Sequence, residues 1–142
     1  MRNGFCLPEL LIALAILGIV SAIGLPRTRG LLDSLGAEAG SRQIMAAHIR
    51  ARMVATASSR VTLLELHPDT LRIRTVYGSD TTLAWQTPGP NRSGLQLTGP
   101  AHPLVYSPLG VTMGASNGTW HLAYRSATRD VIVSRLGRMR IK

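Results

Sequence analysis

This sequence predicts an α+β protein: a long N-terminal membrane-spanning helix packed on a small antiparallel β-sheet or sandwich head. Three observations point there. Residues 5–25 form an almost unbroken apolar run, helically spaced apolar residues continue to Val54, and beyond residue 60 the apolar period changes to two. A chain of 142 residues suits one modest domain plus an anchor.

Residues 1–4 carry one cation, Arg2, and read as a short leader. From Phe5 to Leu25 the run FCLPELLIALAILGIVSAIGL has one charge, Glu9. As a helix it spans roughly 30 Å, the thickness of a bilayer's hydrocarbon core. Arg2 before it and Arg27 and Arg29 after it place cations on both flanks, so charge bias alone sets no orientation. A secretory signal peptide needs a longer basic region and a small-residue cleavage site after the run, which Ser21-Ala22-Ile23-Gly24 matches weakly. A lipoprotein signal places its cysteine after the run, whereas Cys6 precedes it. A plain anchor explains the length but not Glu9. A charged side chain in a membrane helix costs roughly 2.5–3.5 kcal/mol and usually has a partner. Glu9 lies near the positive end of the helix dipole, which lowers the cost without removing it. A cation from another chain would complete the neutralisation.

Gly4-Phe5-Cys6-Leu7-Pro8-Glu9-Leu10-Leu11 resembles the class III signal of type IV pilins and type II secretion pseudopilins. The resemblance implies that a prepilin peptidase cuts between Gly4 and Phe5 and methylates the new Phe5 amine. Glu9 then becomes the fifth mature residue, which in the family pairs with the first-residue amine of a neighbouring subunit during assembly. Cys6 stands where the family commonly has threonine, and Pro8 replaces a frequent aliphatic residue. Proline is at home in a first helical turn, where its missing N–H costs nothing, and Cys6 reads as a small membrane-facing hydrophobe.

Residues 26–59 continue the helix outside the membrane, with Gly24 and Pro26 marking a bend or loosening. Leu31, Leu32, Leu35, Ala39, Ile44, Ala47 and Val54 form the expected packed stripe, with Arg42, Arg50 and Arg52 on the solvent side. Gly36 and Gly40 weaken helical propensity locally. Residues 60–142 form the β-rich head, in which seven short strands are expected: Val61–Leu66, Leu71–Tyr77, Thr81–Trp85, Leu95–Thr98, Leu104–Tyr106, Trp120–Tyr124 and Val131–Ser134. Val105-Tyr106-Ser107-Pro108-Leu109-Gly110 and the closing Val131-Ile132-Val133-Ser134-Arg135-Leu136-Gly137-Arg138-Met139-Arg140 resemble the GspH/FimT group of pilin-like proteins. Residues 60–100 carry no matching motif.

The chain bears sixteen Lys+Arg against seven Asp+Glu, an excess that favours anionic partners. From Arg125 to Lys142 the cations Arg125, Arg129, Arg135, Arg138, Arg140 and Lys142 face one acid, Asp130. Extended, the tail would set Arg138, Arg140 and Lys142 on one face about 6.6 Å apart, with Gly137 supplying a turn or bulge. Arginine forks suit phosphate and hold a nucleic-acid backbone without reading sequence. The bland reading is a solvated face. The resemblance adds that FimT-type members are linked to DNA uptake through a Gly-Arg-x-Arg tail, which Gly137-Arg138-Met139-Arg140 matches. Trp85, Trp120 and Tyr124 offer faces for stacking on bases, although single aromatics at strand positions more often belong to the core.

No Walker loop, GxSxG elbow or HExxH helix is present, and His48, His67, His102 and His121 lack metal-ligand spacing. The expectation is therefore no enzyme, no metal and no cofactor. The resemblance implies a single-pass inner-membrane protein with its head in the periplasm or outside. Its partners would be other pilins or pseudopilins, the prepilin peptidase and the inner-membrane assembly platform. Two functions follow: secretion or pilus assembly, and DNA capture for uptake.

Overall fold

The computed structural model describes residues 6–142, without the side chains of residues 25–27; Gly4 and Phe5 therefore lie outside the described residues. Helix α1, Leu7–Ser58, is 52 residues long, and its assignment continues through Gly24 and Pro26, the residues expected to loosen it. Ser59, at φ 51, stops it. The chain divides into two compact units, residues 1–32 and residues 33–142.

In the first unit the described side chains are exposed, including Leu10, Leu14, Leu17 and Val20. By length and composition α1 is apolar enough to cross a membrane.

In the second unit the rest of α1 packs against two antiparallel sheets. The first joins β3 (Asp80–Pro88), β2 (Thr70–Tyr77), β1 (Thr62–Leu66), β5 (Leu104–Tyr106) and β6 (Thr112–Met113), in that order. The second joins β4 (Gln96–Thr98), β7 (Gly118–Tyr124), β8 (Ala127–Val133) and β9 (Met139–Ile141). The seven expected strands are all present, most of them one to four residues longer or shorter at an end. The added ones, β6 and β9, are too short, and β9 too cationic, to show a strand pattern in sequence. Strand β8 begins at Ala127 rather than Val131, because Arg129 and Asp130 interrupt the apolar run while still pairing with Leu122 and His121.

Alternation decides what these strands bury. On β1 and β2, Leu64, Leu71 and Ile73 turn inward, and Leu122, Val131 and Val133 do the same in the second sheet. They join Ile44, Ala47, Ala51 and Ala55 of α1, with Tyr106 and Trp120, in one core. Trp120 is 1% exposed and is core, not a stacking platform. Trp85 and Tyr124 are partly buried and pack against the same core.

The packed face of α1 differs from the expected stripe. Ile44 and Ala47 are buried and Val54 is half-buried, but Leu31, Leu32, Leu35 and Ala39 are exposed. The helix instead turns small and polar residues inward: Ala37, Gly40, Ser41, His48, Ala51 and Ala55. Small side chains let the helix axis approach the sheets. A Cβ on Gly36 would stand 2.5 Å from the Tyr124 ring, and one on Gly40 would run into the Leu95 side chain. The glycines that weaken the helix locally are thus the ones its packing needs.

Candidate functional site

Glu9 is exposed in the first turn of α1, with the Cys6 thiol 3.8 Å from its Oε2. The backbone N–H groups of Glu9 and Leu10 both close on the Cys6 carbonyl, at 3.0 and 3.3 Å. The helix therefore starts at Leu7, with Pro8 in its first turn, where no intrahelical bond is lost. Glu9 thus stands at the N-terminal end of an exposed apolar helix. Its expected partner, the Phe5 amine of a neighbouring chain, lies outside the described residues.

The six C-terminal cations divide into two groups. Arg125 and Arg129 turn toward α1. Arg125 Nη1 lies 3.6 Å from Asp33 Oδ1, and Arg129 Nε lies 3.6 Å from Glu38 Oε2. Asp33, 7% exposed, also accepts a 2.7 Å hydrogen bond from Ser126 Oγ. It therefore fastens the β7–β8 turn, whose Arg125 sits at φ 52. Both contacts leave part of the arginine in solvent, with the Arg125 side chain 70% exposed.

Arg138, Arg140 and Lys142 belong to the outer edge. The Gly137 N–H donates to the Ser134 carbonyl and the Ser134 N–H to the Arg138 carbonyl, both at 2.9 Å. Gly137 takes φ 76, a conformation few other residues adopt. Thr112 Oγ1 donates to the Arg135 carbonyl at 2.7 Å, tying this turn to β6. From it, β9 pairs with β8 in the register Val133–Met139, Ile132–Arg140 and Val131–Ile141. Asp130 and Lys142 then exchange backbone hydrogen bonds of 2.9 Å. Gly137 is buried and Met139 and Ile141 half-buried, while Arg138, Arg140 and Lys142 are exposed. The three cations thus form a row about 6.6 Å apart on an edge strand. Asp130, the acid beside them, accepts a 2.7 Å hydrogen bond from His121 Nδ1. Arg135 is exposed in the turn, off that row.

A third cluster was not found by sequence reasoning. His48 Nδ1 and Tyr106 Oη lie 2.6 Å apart inside the head, 3% and 0% exposed. Burial pushes the histidine's pKa below its ordinary value, and the Arg52 charge pushes it the same way; a hydrogen bond to the Gly137 backbone opposes both. Burial raises the tyrosine's pKa, so the phenol keeps its proton and its O–H donates a hydrogen bond to His48 Nδ1. Arg52 Nε donates to the Gly110 carbonyl at 2.9 Å. The Tyr106–Gly110 motif and the Gly137–Arg140 motif are therefore both fastened to α1, through residues four apart on it. Helical spacing around His48 and Arg52 was the available clue, but nothing in it names Tyr106 or Gly110.

A helix whose second half is wrapped by two small antiparallel sheets, after a first half exposed and apolar, is the pilin-like fold. The chain resembles the type IV minor pilin FimU of Pseudomonas aeruginosa at TM-score 0.61 and 15% identity, over 75% of this chain and 87% of that one. It resembles equally the minor pseudopilin EpsH from the Type 2 Secretion System of Vibrio cholerae, at TM-score 0.59 and 15% identity, over 75% of this chain and 95% of that one. No family model and no curated protein sequence matches it.

Proposed function

We propose that this chain is a minor pilin-like subunit, anchored in the inner membrane by α1 and built into a type IV pilus or a type II secretion pseudopilus. The carrying observation is the exposed apolar first half of α1, headed by Glu9, on a pilin-like fold. An uncovered apolar helix needs lipid before assembly and neighbouring helices after it. The leader is cut between Gly4 and Phe5 by a prepilin peptidase, Phe5 is methylated, and Glu9 pairs with the Phe5 amine of the next subunit. Function is mechanical rather than chemical, in secretion or pilus assembly. The test replaces Glu9 with valine: the protein should reach the membrane in normal amount and be depleted from sheared filaments. Filament incorporation equal to the parent would sink the pairing role.

A second reading, capture of DNA for uptake, is favoured by the row Arg138, Arg140 and Lys142 on and beside β9. Arg125 and Arg129 also lie near Asp33 and Glu38, so the salt slope is worked for the row alone. Three neutralised phosphates give a slope of log affinity against log salt near −2.7 on duplex DNA. The full-length chain in uncharged detergent should show that slope, and Arg138→Ala with Arg140→Ala should lose most of the binding. A flat salt response, or an unaffected double variant, would leave the row as a solvated or subunit-facing patch.

A further inference from the structure

The five-stranded sheet leaves part of its helix uncovered beside its edge strand. Its edge, β3, runs from Asp80 to Pro88 with one charge, Asp80, at the far end. Exposed edges are ordinarily guarded by lysine, internal proline or a covering segment, because their free N–H and C=O groups invite another strand. From Thr81 to Thr87 this edge carries no charge and no proline. Trp85 and Thr87 pair with Ile73 and Leu71 and so turn to the inner side, toward α1. Beyond them the helix is uncovered: Ile49 is 50% and Met53 57% exposed. A groove of about 540 Å³ lies there, lined by Ala46, Ile49, Arg50, Met53, Trp85 and Thr87. At one end Gln43 Nε2 closes it by donating to the Pro88 carbonyl at 2.8 Å. Arg50 lies over the Trp85 ring, 5.0 Å from its centroid, and among the described ion pairs it has no carboxylate.

We propose that this edge and groove receive an extended segment of an acidic partner protein, added to β3 as a sixth strand. About 4.8 Å beyond β3, such a strand would drop alternate side chains over Ala46, Ile49 and Met53 and gain backbone hydrogen bonds from the free edge. A carboxylate on the same face would meet Arg50, already seated over the Trp85 ring, whose guanidinium can donate two hydrogen bonds at once. Charge selects the occupant. From Asp33 to Lys142 there are thirteen Lys+Arg and six Asp+Glu. A second copy fits poorly, because a centred antiparallel β3–β3 pairing would bring two Arg50 side chains together between two positive heads. The docking is independent of how α1 is assembled and of DNA.

The test uses the full-length chain in uncharged detergent and labelled nine-residue peptides of alternating valine and threonine, with glutamate or lysine at the centre. Anisotropy should show the glutamate peptide binding at least tenfold tighter than the lysine peptide, and Arg50→Glu, an exposed change that leaves the core intact, should reverse that order. Two further glutamate peptides carry N-methyl groups on one or the other alternate set of amides. One should bind and the other fail, since only one set faces β3. Equal binding of both, an order unchanged by Arg50→Glu, or no binding of any peptide at millimolar concentration would overturn the proposal. So would self-association, seen by sedimentation velocity, that the peptide competes away, since that would seat a second copy in the groove.

Discussion

Tyr106→Phe isolates the buried hydrogen bond between β5 and α1. The substitution removes one oxygen and keeps the ring that fills the core, so no large cavity opens. It strands His48 Nδ1, whose side chain is 3% exposed and whose partner lies 2.6 Å away. A buried acceptor left without a donor costs about 1–3 kcal/mol. For the 110 residues of the unit from Asp33 to Lys142, the unfolding entropy is about 0.23 kcal/mol per kelvin, so the melting midpoint should fall by about 4–13 °C. Emission from Trp120, buried in the same core, reports the transition. Because the cost belongs to the stranded histidine, removing it too should return part of the loss: His48→Met with Tyr106→Phe should melt above the value expected from adding the single changes. Additive losses, or a midpoint for Tyr106→Phe within a degree of the parent, would refute the reasoning.

Other outcomes follow from the same geometry. His48 has a lowered pKa and is held neutral in the fold, while the unfolded chain protonates it below about pH 6.5. Stability is therefore full above that pH and declines as pH falls through it; chemical unfolding at pH 7 and pH 5 should show a smaller decline for His48→Gln than for the parent, and parallel declines would contradict this. Gly36→Val drives a branched side chain into the Tyr124 ring, which a Cβ alone would already meet at 2.5 Å, and should cost about 1–3 kcal/mol in the same melts; an unchanged midpoint would mean that the helix and second sheet shift apart freely. Gly4→Leu should leave the leader uncut, while the parent's mature mass should begin at Phe5 and carry one extra methyl group; a mass starting elsewhere would remove the processing assignment.

Most strands were legible in the sequence because they bury one face, and the period of two is clear in Thr70–Tyr77, where Leu71, Ile73 and Thr75 are buried and the residues between them are not. The face of α1 was not. Hydrophobicity marks Leu31, Leu32 and Leu35 as residues that avoid water, but not whether lipid, a neighbour or their own head covers them. The face that packs is built of alanine, glycine, serine and histidine, chosen for closeness rather than greasiness. The basic tail was half legible for a similar reason. Alternation placed Arg138, Arg140 and Lys142 together, but it could not show that Arg125 and Arg129 also reach carboxylates on α1. Their carboxylates, Asp33 and Glu38, lie some ninety residues away on the helix. The free edge of β3 has no linear signature, since which strand ends a sheet is a property of topology.

The Asp33 contact has a practical consequence for anyone who would cut the head away from its anchor. Three exposed leucines, Leu31, Leu32 and Leu35, invite removal, and the last of them stands two positions beyond the buried carboxylate. A truncation that removes all three therefore also removes the group that receives Ser126 and Arg125. One that keeps Asp33 keeps Leu35 on the surface. Solubility and an intact β7–β8 turn pull the cut site in opposite directions, and exchanging Leu35 for a polar helix former while starting before Asp33 reconciles them.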